Sequence, residues 1–160
     1  MATDMLDEIV SAIKSRFGES ILKVVSEDRR ITLTVSKDAS HEVLSQLKAM
    51  DFDHLSDVCG VDYMTDGEFE IVYHLWSHAK KVRAIQKVRI ARESPTIESV
   101  VDLWPGAQIH EREAHELFGI GFGGNPDLSP LFLEDWAEIP PFRKDFDTRA
   151  YVKRRYYGND

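Results

Sequence analysis

Residues 69–90 read FEIVYHLWSHAKKVRAIQKVRI. Residues 69–76 and 82–90 are rich in β-branched and aromatic side chains, and the polar residues 77–81 between them are typical of a turn. Alternate positions of the second run form an apolar set and a mostly charged set, namely Val82, Ala84, Val88 and Ile90 against Arg83, Ile85, Lys87 and Arg89. This alternation is typical of a strand that faces a core on one side and water on the other. We therefore predict a sheet whose one face packs under helices.

The segment before this stretch extends the predicted sheet. Residues 55–63 form another β-rich run, and they are joined to residues 69–76 through Asp66-Gly67, a strong turn dipeptide. Together with residues 82–90 these runs predict a three-stranded antiparallel meander.

The first 50 residues predict two helices and a hairpin. Apolar residues recur at helical spacing over residues 5–17, and the glycine that follows is a common helix end. Residues 21–25 and 31–35 are β-rich runs on either side of a polar segment, which predicts a hairpin. A second helix is predicted from Ser40, as a possible N-cap, to Met50.

Two further helices are predicted after the meander. Residues 97–103 are predicted as a short helix, which Pro105-Gly106 ends, and residues 107–118 as a longer one. The predicted fold class is therefore α+β, a small domain over residues 1–118 with an antiparallel or mixed sheet packed by helices.

Residues 119–146 differ in composition from the rest of the chain. They contain four of the six prolines and four glycines: Pro126, Pro130, Pro140, Pro141, Gly119, Gly121, Gly123 and Gly124. Regular structure is therefore not expected there. The same stretch is nevertheless rich in large apolar side chains, which a disordered linker would lack. We predict that residues 119–160 form an extended docking arm that ends in a C-terminal tail.

Composition excludes several classes of protein. A chain of 160 residues is the size of one domain, and no apolar run approaches the roughly 20 residues of a membrane helix. The formal charge of −8 argues against nucleic-acid binding, which requires a surplus of Lys and Arg on one face. The only basic cluster in the sequence is 153–155, either a solvated tail or a docking segment. Acidic residues near the N-terminus argue against a secretory signal, which predicts a cytoplasmic location.

Motifs that resemble active sites lack the required spacing. His110 and His115 are five positions apart, which turns them roughly 140° from each other on a helix, whereas zinc-protease histidines are four apart. Glu111 and Glu113 diverge by about 160°, so they do not form an acid and base pair. The single thiol, Cys59, cannot supply the four ligands that iron–sulfur clusters generally require. We expect no active site, metal site or cofactor in this chain.

The predicted helix 107–118 has an apolar arc and a charged outer face. Glu111 and Glu113 are predicted at the two borders of the arc. Arg112 and Glu116 are predicted on the outer face, where their i, i+4 spacing would allow them to pair.

The stretch EREAHELFGI at 111–120 resembles the signature of the complex I 30-kDa subunit family. Phe122, Gly124, the segment NPDL at 125–128 and the segment PFRKDF at 141–146 extend the resemblance. Upstream segments that agree with the family are VDY at 61–63, FEIVYHL at 69–75, Ser99-Val100 and LWPGA at 103–107. The resemblance thus covers about residues 52–146.

The resemblance implies a structural role in a redox complex. Members hold no cofactor and brace two partners, the large quinone-site or hydrogenase-like subunit and the small subunit that carries the terminal iron–sulfur cluster. The iron–sulfur clusters would thus belong to partner subunits, and membrane association at the cytoplasmic face would be through partners only. The implied partner-interface residues are Glu111, Arg112, Glu113, Phe118, Gly119, Phe122, Asp127, Arg143, Lys144 and Asp145.

This chain departs from the family pattern at several positions. The family usually has aspartate at 116, histidine at 125 and two arginines at 129 and 130, where this chain has Glu116, Asn125 and Ser129-Pro130. The short C-terminus resembles versions from archaeal deazaflavin- or ferredoxin-linked dehydrogenases and membrane-bound hydrogenases. Two alternatives remain at this stage, a metal-dependent hydrolase that uses His110 and His115 and a stand-alone interaction module.

Overall fold

The structure is a computed structural model that describes residues 2–133, 135–136 and 139–158. Its helices are α1 (Ala2–Phe17), α2 (Ser40–Ala49), α3 (Ala107–Phe118) and α4 (Thr148–Val152). Its strands are β1 (Ile21–Glu27), β2 (Arg30–Val35), β3 (His54–Tyr63), β4 (Glu68–Ser77), β5 (Val82–Ala91), β6 (Thr96–Glu98) and β7 (Gly121–Gly123). The predicted α+β fold class is confirmed.

Five strands form one mixed sheet in the order β1-β2-β5-β4-β3. The hairpin β1–β2 and the meander β3–β4–β5 are both antiparallel, as predicted. The two units join where β2 and β5 pair in parallel, from Arg30 beside Arg83 to Val35 beside Val88. Because parallel strands need a crossover connection, α2, β3 and β4 all lie between these two strands in the chain.

One face of the sheet carries the core. Its buried side chains come from β2, β4 and β5: Ile31, Leu33, Val35, Phe69, Ile71, Tyr73, Leu75, Val82, Ala84, Val88 and Ile90. Helices α1, α2 and α3 cover this face with Leu6, Ile9, Ile13, Val43, Leu44, Leu47, Ala107, Ala114 and Leu117. Burial of each large aliphatic side chain contributes about 1.5–3 kcal/mol. The charged positions of β5 point to the other face, where Lys87 and Arg89 pair with Glu70 at 3.4 and 2.9 Å.

The start of α2 differs from the prediction. Ser40 is the first helical residue and makes no capping hydrogen bond from its side chain. Its buried hydroxyl instead accepts a hydrogen bond from Gln86 Nε2 at 2.9 Å, and its carbonyl accepts one from the same nitrogen at 3.1 Å. The hydroxyl is therefore used to satisfy a buried amide of the sheet, because an unpaired polar group in the core is costly.

The prediction of a short helix at residues 97–103 is wrong. Residues Thr96–Glu98 form β6, which pairs in parallel with β7, and a turn follows in which Trp104 N–H donates to the Val100 carbonyl at 2.9 Å. The expectation that residues 119–146 lack regular structure is also wrong at Gly121–Gly123. Sequence periodicity could not reveal either strand, because three residues are too few to show a period.

Helix α3 has the predicted bounds, Ala107–Phe118. It ends at Gly119, whose φ of 77° is the left-handed conformation that closes many helices. None of the helices in the described ranges has the length and apolar character needed to cross a bilayer.

Candidate functional site: helix α3 and the arm that follows it

Glu111 lies at the centre of the junction between α3 and the arm. Its side chain is fully buried, although the sequence placed it at a border of the apolar arc. It accepts hydrogen bonds from the Ser99 hydroxyl at 2.6 Å, the Val100 N–H at 2.8 Å and Asn125 Nδ2 at 2.8 Å. Burial raises the pKa of the Glu111 carboxyl, and these three donors oppose the rise. One carboxyl group thus joins the loop after β6, helix α3 and the start of the arm.

Arg112 holds the next part of the arm. Its guanidinium donates to the Ser129 carbonyl at 2.5 Å and the Pro130 carbonyl at 2.6 Å, and it lies 3.8 Å from the Asp127 carboxylate. Asp127 also accepts the Ser129 N–H at 2.9 Å. Hydrogen bonding from the Ser129 side chain and from this N–H, together with the nearby Arg112, lowers the Asp127 pKa. The predicted pair of Arg112 with Glu116 is wrong, because the arm supplies better-oriented carbonyl acceptors to the guanidinium.

Glu116 binds a run of backbone amides. Its carboxylate accepts the N–H groups of Leu131 at 3.1 Å, Phe132 at 2.9 Å and Leu133 at 2.7 Å. Hydrogen bonds to an ionised acceptor are stronger than neutral ones. The outer face of α3 is therefore where residues 129–133 are attached.

The C-terminal end of α3 receives a later part of the arm. The Phe142 N–H donates to the Leu117 carbonyl at 3.0 Å, and Arg143 Nε donates to the Phe118 carbonyl at 2.8 Å. These are two of the carbonyl groups that a helix end leaves without partners, and a cation is also favoured there by the helix dipole. A Cβ on Gly119 would lie 2.8 Å from Arg143 Nη2, so a side chain there would displace the guanidinium, and the φ of 77° also favours glycine.

An ion-pair network fastens the arm to the sheet. Asp62 on β3 has a fully buried side chain and pairs with Arg92 through two bonds of 3.0 and 3.2 Å. Arg92 also donates to Asp145 at 2.6 Å, and Asp62 accepts the Lys144 N–H at 2.8 Å. Hydrogen bonds from Arg92 lower the pKa of Asp145, and those to Asp62 and Asp145 raise the pKa of Arg92.

The apolar residues of this region divide into buried and exposed sets. Phe118, Ile120 and Phe122 are part of the core, where the Phe118 ring stands edge-on to the rings of Phe69 and Phe142. In contrast, Phe132 is 63% exposed, Phe142 57% and Ile139 42%. Three large apolar side chains thus remain in water on an arm whose backbone is held in place.

Glu113 lies apart from these attachments. It lines a cleft of about 170 Å³ between α3 and strand β3, together with Cys59, Gly60, Phe118 and Phe142. Burial raises the pKa of the Cys59 thiol, and the carboxylates of Asp57 and Glu113 raise it further. The thiol is therefore less ionised than a free cysteine and is not an activated nucleophile.

The two histidines of the hydrolase alternative have separate partners. His110 Nδ1 lies 3.3 Å from Asp57, and His115 Nδ1 donates to the Ile120 carbonyl at 2.8 Å. Among residues 2–133, 135–136 and 139–158, no three His, Cys, Asp or Glu side chains are grouped so that they could hold a metal ion. The geometry does not favour the hydrolase.

Sequence reasoning missed several residues that position the arm. Asp62, Ser99 and Glu116 lie within segments that carried the family resemblance, but nothing in their spacing indicated which groups they bind. Asn125 was noted within the segment 125–128 and as a departure from the family pattern, but not as a partner of Glu111. Arg92 lies in a polar segment after β5 and gave no signal, because its partners are 30 and 53 positions away.

Comparison with known proteins agrees with this architecture. The family described as the respiratory-chain NADH dehydrogenase 30 Kd subunit matches residues 33–152. The match begins upstream of the segments that carried the resemblance and includes the second half of β2 and all of α2. It therefore covers most of the sheet as well as α3 and the arm up to residue 152.

Two relatives and one solved structure show how far the likeness extends. The C subunit of the F(420)H(2) dehydrogenase of Methanosarcina mazei is 41% identical over 142 residues, which are 87% of this chain and 90% of that protein. The C subunit of the NADH-quinone oxidoreductase of Novosphingobium aromaticivorans is 36% identical over 98% of this chain, which spans about half of that protein. A chain of the membrane-bound sulfane sulfur reductase, an archaeal respiratory membrane complex, superposes with a TM-score of 0.84 at 32% identity, over 96% of this chain and 92% of that one.

The relatives are subunits of complex I-like oxidoreductases from membrane-associated respiratory complexes. The archaeal F(420)H(2) dehydrogenase and sulfane sulfur reductase subunits agree in length with this chain as well as in sequence. By the match over residues 33–152 and these identities, the chain belongs to the family of the respiratory-chain NADH dehydrogenase 30 Kd subunit.

Proposed function

We propose that this chain is a non-catalytic assembly subunit in the peripheral part of a complex I-like oxidoreductase. In this role it braces the large quinone-site or hydrogenase-like subunit and the small iron–sulfur subunit, so that electron transfer coupled to ion translocation can proceed between them. The observation that carries the proposal is the arm, which is hydrogen-bonded to its own domain while Phe132, Ile139 and Phe142 face solvent.

A pre-organised arm is suited to docking. Arg112 and Glu116 bind backbone groups of the arm, Glu111 binds the Asn125 side chain, and the Phe118 carbonyl accepts from Arg143, so the arm is held at successive points along α3. An ordered segment loses less conformational entropy on binding than a flexible one, so more of its contact energy remains as affinity. The exposed aromatic and aliphatic side chains then act as anchors for pockets on a partner.

In this role the electron-transfer reactions take place in the partner subunits. Cys59 is the one cysteine of the sequence, so iron–sulfur clusters belong to the neighbouring subunits. The chain reaches the cytoplasmic face of the membrane as a peripheral component, through the subunits that it binds.

The ten implied partner-interface residues fall into two groups, those with contacts inside the chain and those that remain accessible to a partner. Glu111, Arg112, Gly119, Arg143 and Asp145 act within the chain by shaping the arm, and Phe118 and Phe122 act in its core. Of the remaining residues, Glu113 is half-buried, and Asp127 and Lys144 are exposed. Direct partner contact is proposed for these three and for the exposed apolar side chains.

Assembly of the native complex tests the proposal. Phe132→Ala combined with Ile139→Ala removes two exposed anchors without touching the core, and we expect most of the chain to be lost from the complex on a native gel. Leu22→Ala is the matched control, because Leu22 on β1 is also 63% exposed. Full assembly of the double variant would contradict the docking role.

A further inference from the structure

A cationic cleft lies at the end of the sheet farthest from the arm. The turn between β1 and β2 and the turn between β4 and β5 form a cleft of about 420 Å³ there. Its lining residues are Glu27, Asp28, Arg29, Arg30, Trp76, Lys81 and Arg83. Four cations and a tryptophan thus share one cleft in a chain whose formal charge is −8.

The pairing of the two sheet units assembles this cleft. Arg30 on β2 lies beside Arg83 on β5, and Arg83 lies beside Trp76 on β4. The Arg83 N–H donates to the Arg29 carbonyl at 2.8 Å, which links the first turn to the start of β5. The two turns that carry these cations lie about 50 positions apart in the sequence, so the sequence, in which 153–155 is the only basic cluster, does not show that they come together.

The positive charge of this cleft is only partly balanced within its lining, which has four cations and two carboxylates, Glu27 and Asp28. Arg30 forms an ion pair with Glu27. Within the described residues, the side chains of Arg29, Lys81 and Arg83 make no ion pair or hydrogen bond, and all three residues are exposed. On the same face of the sheet, Lys87 and Arg89 are both paired with Glu70.

Like charges on neighbouring strands destabilise a sheet, so a carboxylate from outside the chain would reduce the repulsion between the cations of the cleft. Arginine binds carboxylates through two parallel hydrogen bonds, and its charge is permanent. Trp76 is partly exposed beside these cations, and tryptophan and arginine are both enriched among the residues that contribute most to binding at protein interfaces. A protein segment that carries carboxylates and an apolar side chain is therefore complementary to the cations and the tryptophan of the cleft.

We propose that the cleft binds an acidic segment of a neighbouring subunit. Carboxylates of that segment pair with Arg29 and Arg83, and an apolar residue of the segment packs on the Trp76 ring. The proposal rests on the proposed function, because the neighbour is a subunit of the same complex. The arm joins the sheet near Asp62 and Arg92, at the other end of strands of 10 residues, so the two contacts are about 30 Å apart.

Photo-crosslinking in the intact complex tests the proposal. A photoreactive phenylalanine analogue replaces Ala79, an exposed residue of the turn that contains Lys81. We expect a crosslink to another subunit, within a peptide rich in Asp and Glu. A crosslink only to lipid, a crosslink to a peptide without a cluster of carboxylates, or no crosslink in an assembled complex would overturn the proposal. Failure of the chain to enter the complex at all would overturn the proposed function as well.

Charge reversal provides a second readout. Arg29→Glu and Arg83→Glu should each lower, by twofold or more, the NaCl concentration at which the chain leaves the complex. Arg29 lies in an exposed turn, so its variant remains informative if Arg83→Glu fails to fold. Lys37→Glu makes the same charge change at another exposed position and should leave the salt midpoint unchanged. Equal midpoints for Arg29→Glu and Lys37→Glu would count against the acidic partner.

Discussion

Glu111 shows how one buried carboxylate can organise a junction. Three donors from two separate segments meet on its two oxygens: the Ser99 hydroxyl and the Val100 N–H from the loop after β6, and the Asn125 amide from the arm. A buried donor that loses its acceptor costs about 1–3 kcal/mol, because it cannot return to water. The stability of the junction thus depends on this one side chain.

The first prediction concerns removal of that carboxylate. Glu111→Ala should lower the free energy of unfolding by about 3 kcal/mol, because it leaves buried donors without an acceptor. Glu113→Ala, two positions along the same helix and half-buried, should change it by less than about 1 kcal/mol. Urea unfolding followed by tryptophan fluorescence measures both values, and equal losses would contradict the central place of Glu111.

The second prediction concerns the pH dependence of the contact between Arg92 and Asp145. Arg92 lowers the pKa of Asp145 from its ordinary value of 3.8. Because the folded-state pKa is the lower one, the ionised carboxylate stabilises the fold above that ordinary value, and this stabilisation is lost as the pH falls through the lowered pKa. The Asp145 side chain is 44% exposed, so solvent screening keeps the effect below about 1 kcal/mol.

Asp145→Asn should therefore have a lower urea midpoint than the wild-type chain at pH 7 and at pH 5, and the difference should shrink below pH 3.8. Asp7→Asn, at an exposed position of α1, corrects for the general loss of a carboxylate. A difference that stays constant down to pH 3 would show that Asp145 does not act through its charge.

At the scale of elements, the junction between α3 and the arm depends on a residue without a side chain. Gly119 has a φ of 77°, and Arg143 and Pro140 occupy the space that a Cβ would need. The absence of a Cβ leaves room for both side chains, and the positive φ is one that glycine adopts without strain.

The third prediction follows from this packing. Gly119→Ala should lower the free energy of unfolding by about 1–2 kcal/mol from its left-handed backbone alone, and it should displace Arg143 from the Phe118 carbonyl. Limited proteolysis should then cut the arm faster. Gly106→Ala is the control, because a Cβ there meets no atom within 4 Å and φ is −63°. Unchanged proteolysis of Gly119→Ala would contradict the close approach.

Sequence patterns predicted the long elements and failed at the short ones. The strands β3, β4 and β5 and the helix α3 alternate or repeat over ten residues or more, so their periods are visible in the sequence. Strands β6 and β7 have three residues each. They depend on contacts between distant parts of the chain, such as the hydrogen bond from the Ser99 N–H to the Gly123 carbonyl. The contacts of Arg112 and Glu116 were equally hidden, because their partners are backbone groups of the arm.

At the scale of the whole molecule, the residues just after 118 pack against the domain that precedes them. Ile120 and Phe122 are almost fully buried in the core, and β7 pairs with β6. The division into residues 1–118 and 119–160 therefore stays a prediction that truncation can test.

The fourth prediction compares two truncated chains. A chain ending at residue 118 loses Ile120 and Phe122, and each large buried side chain contributes about 2–5 kcal/mol, which is a large share of the stability of a typical domain. We expect this chain to show no cooperative unfolding transition. A chain ending at residue 127 keeps β7 and Asn125 and should unfold cooperatively. Equal urea midpoints for the two truncations would place the boundary at residue 118.

The parallel pairing of β2 with β5 has a consequence for the order of folding. Arg30 and Arg83 are neighbours in the sheet but 53 positions apart in the chain. Pairing of distant segments is slow, because the chain loses the entropy of a long loop before the contacts between the segments form. During synthesis, the hairpin β1–β2 with α1 and α2 is complete while one edge of β2 is still unpaired. The nascent chain therefore passes through an interval in which that edge can pair with another molecule. The interval ends when β5, which pairs with β2 as far as Val88, has left the ribosome.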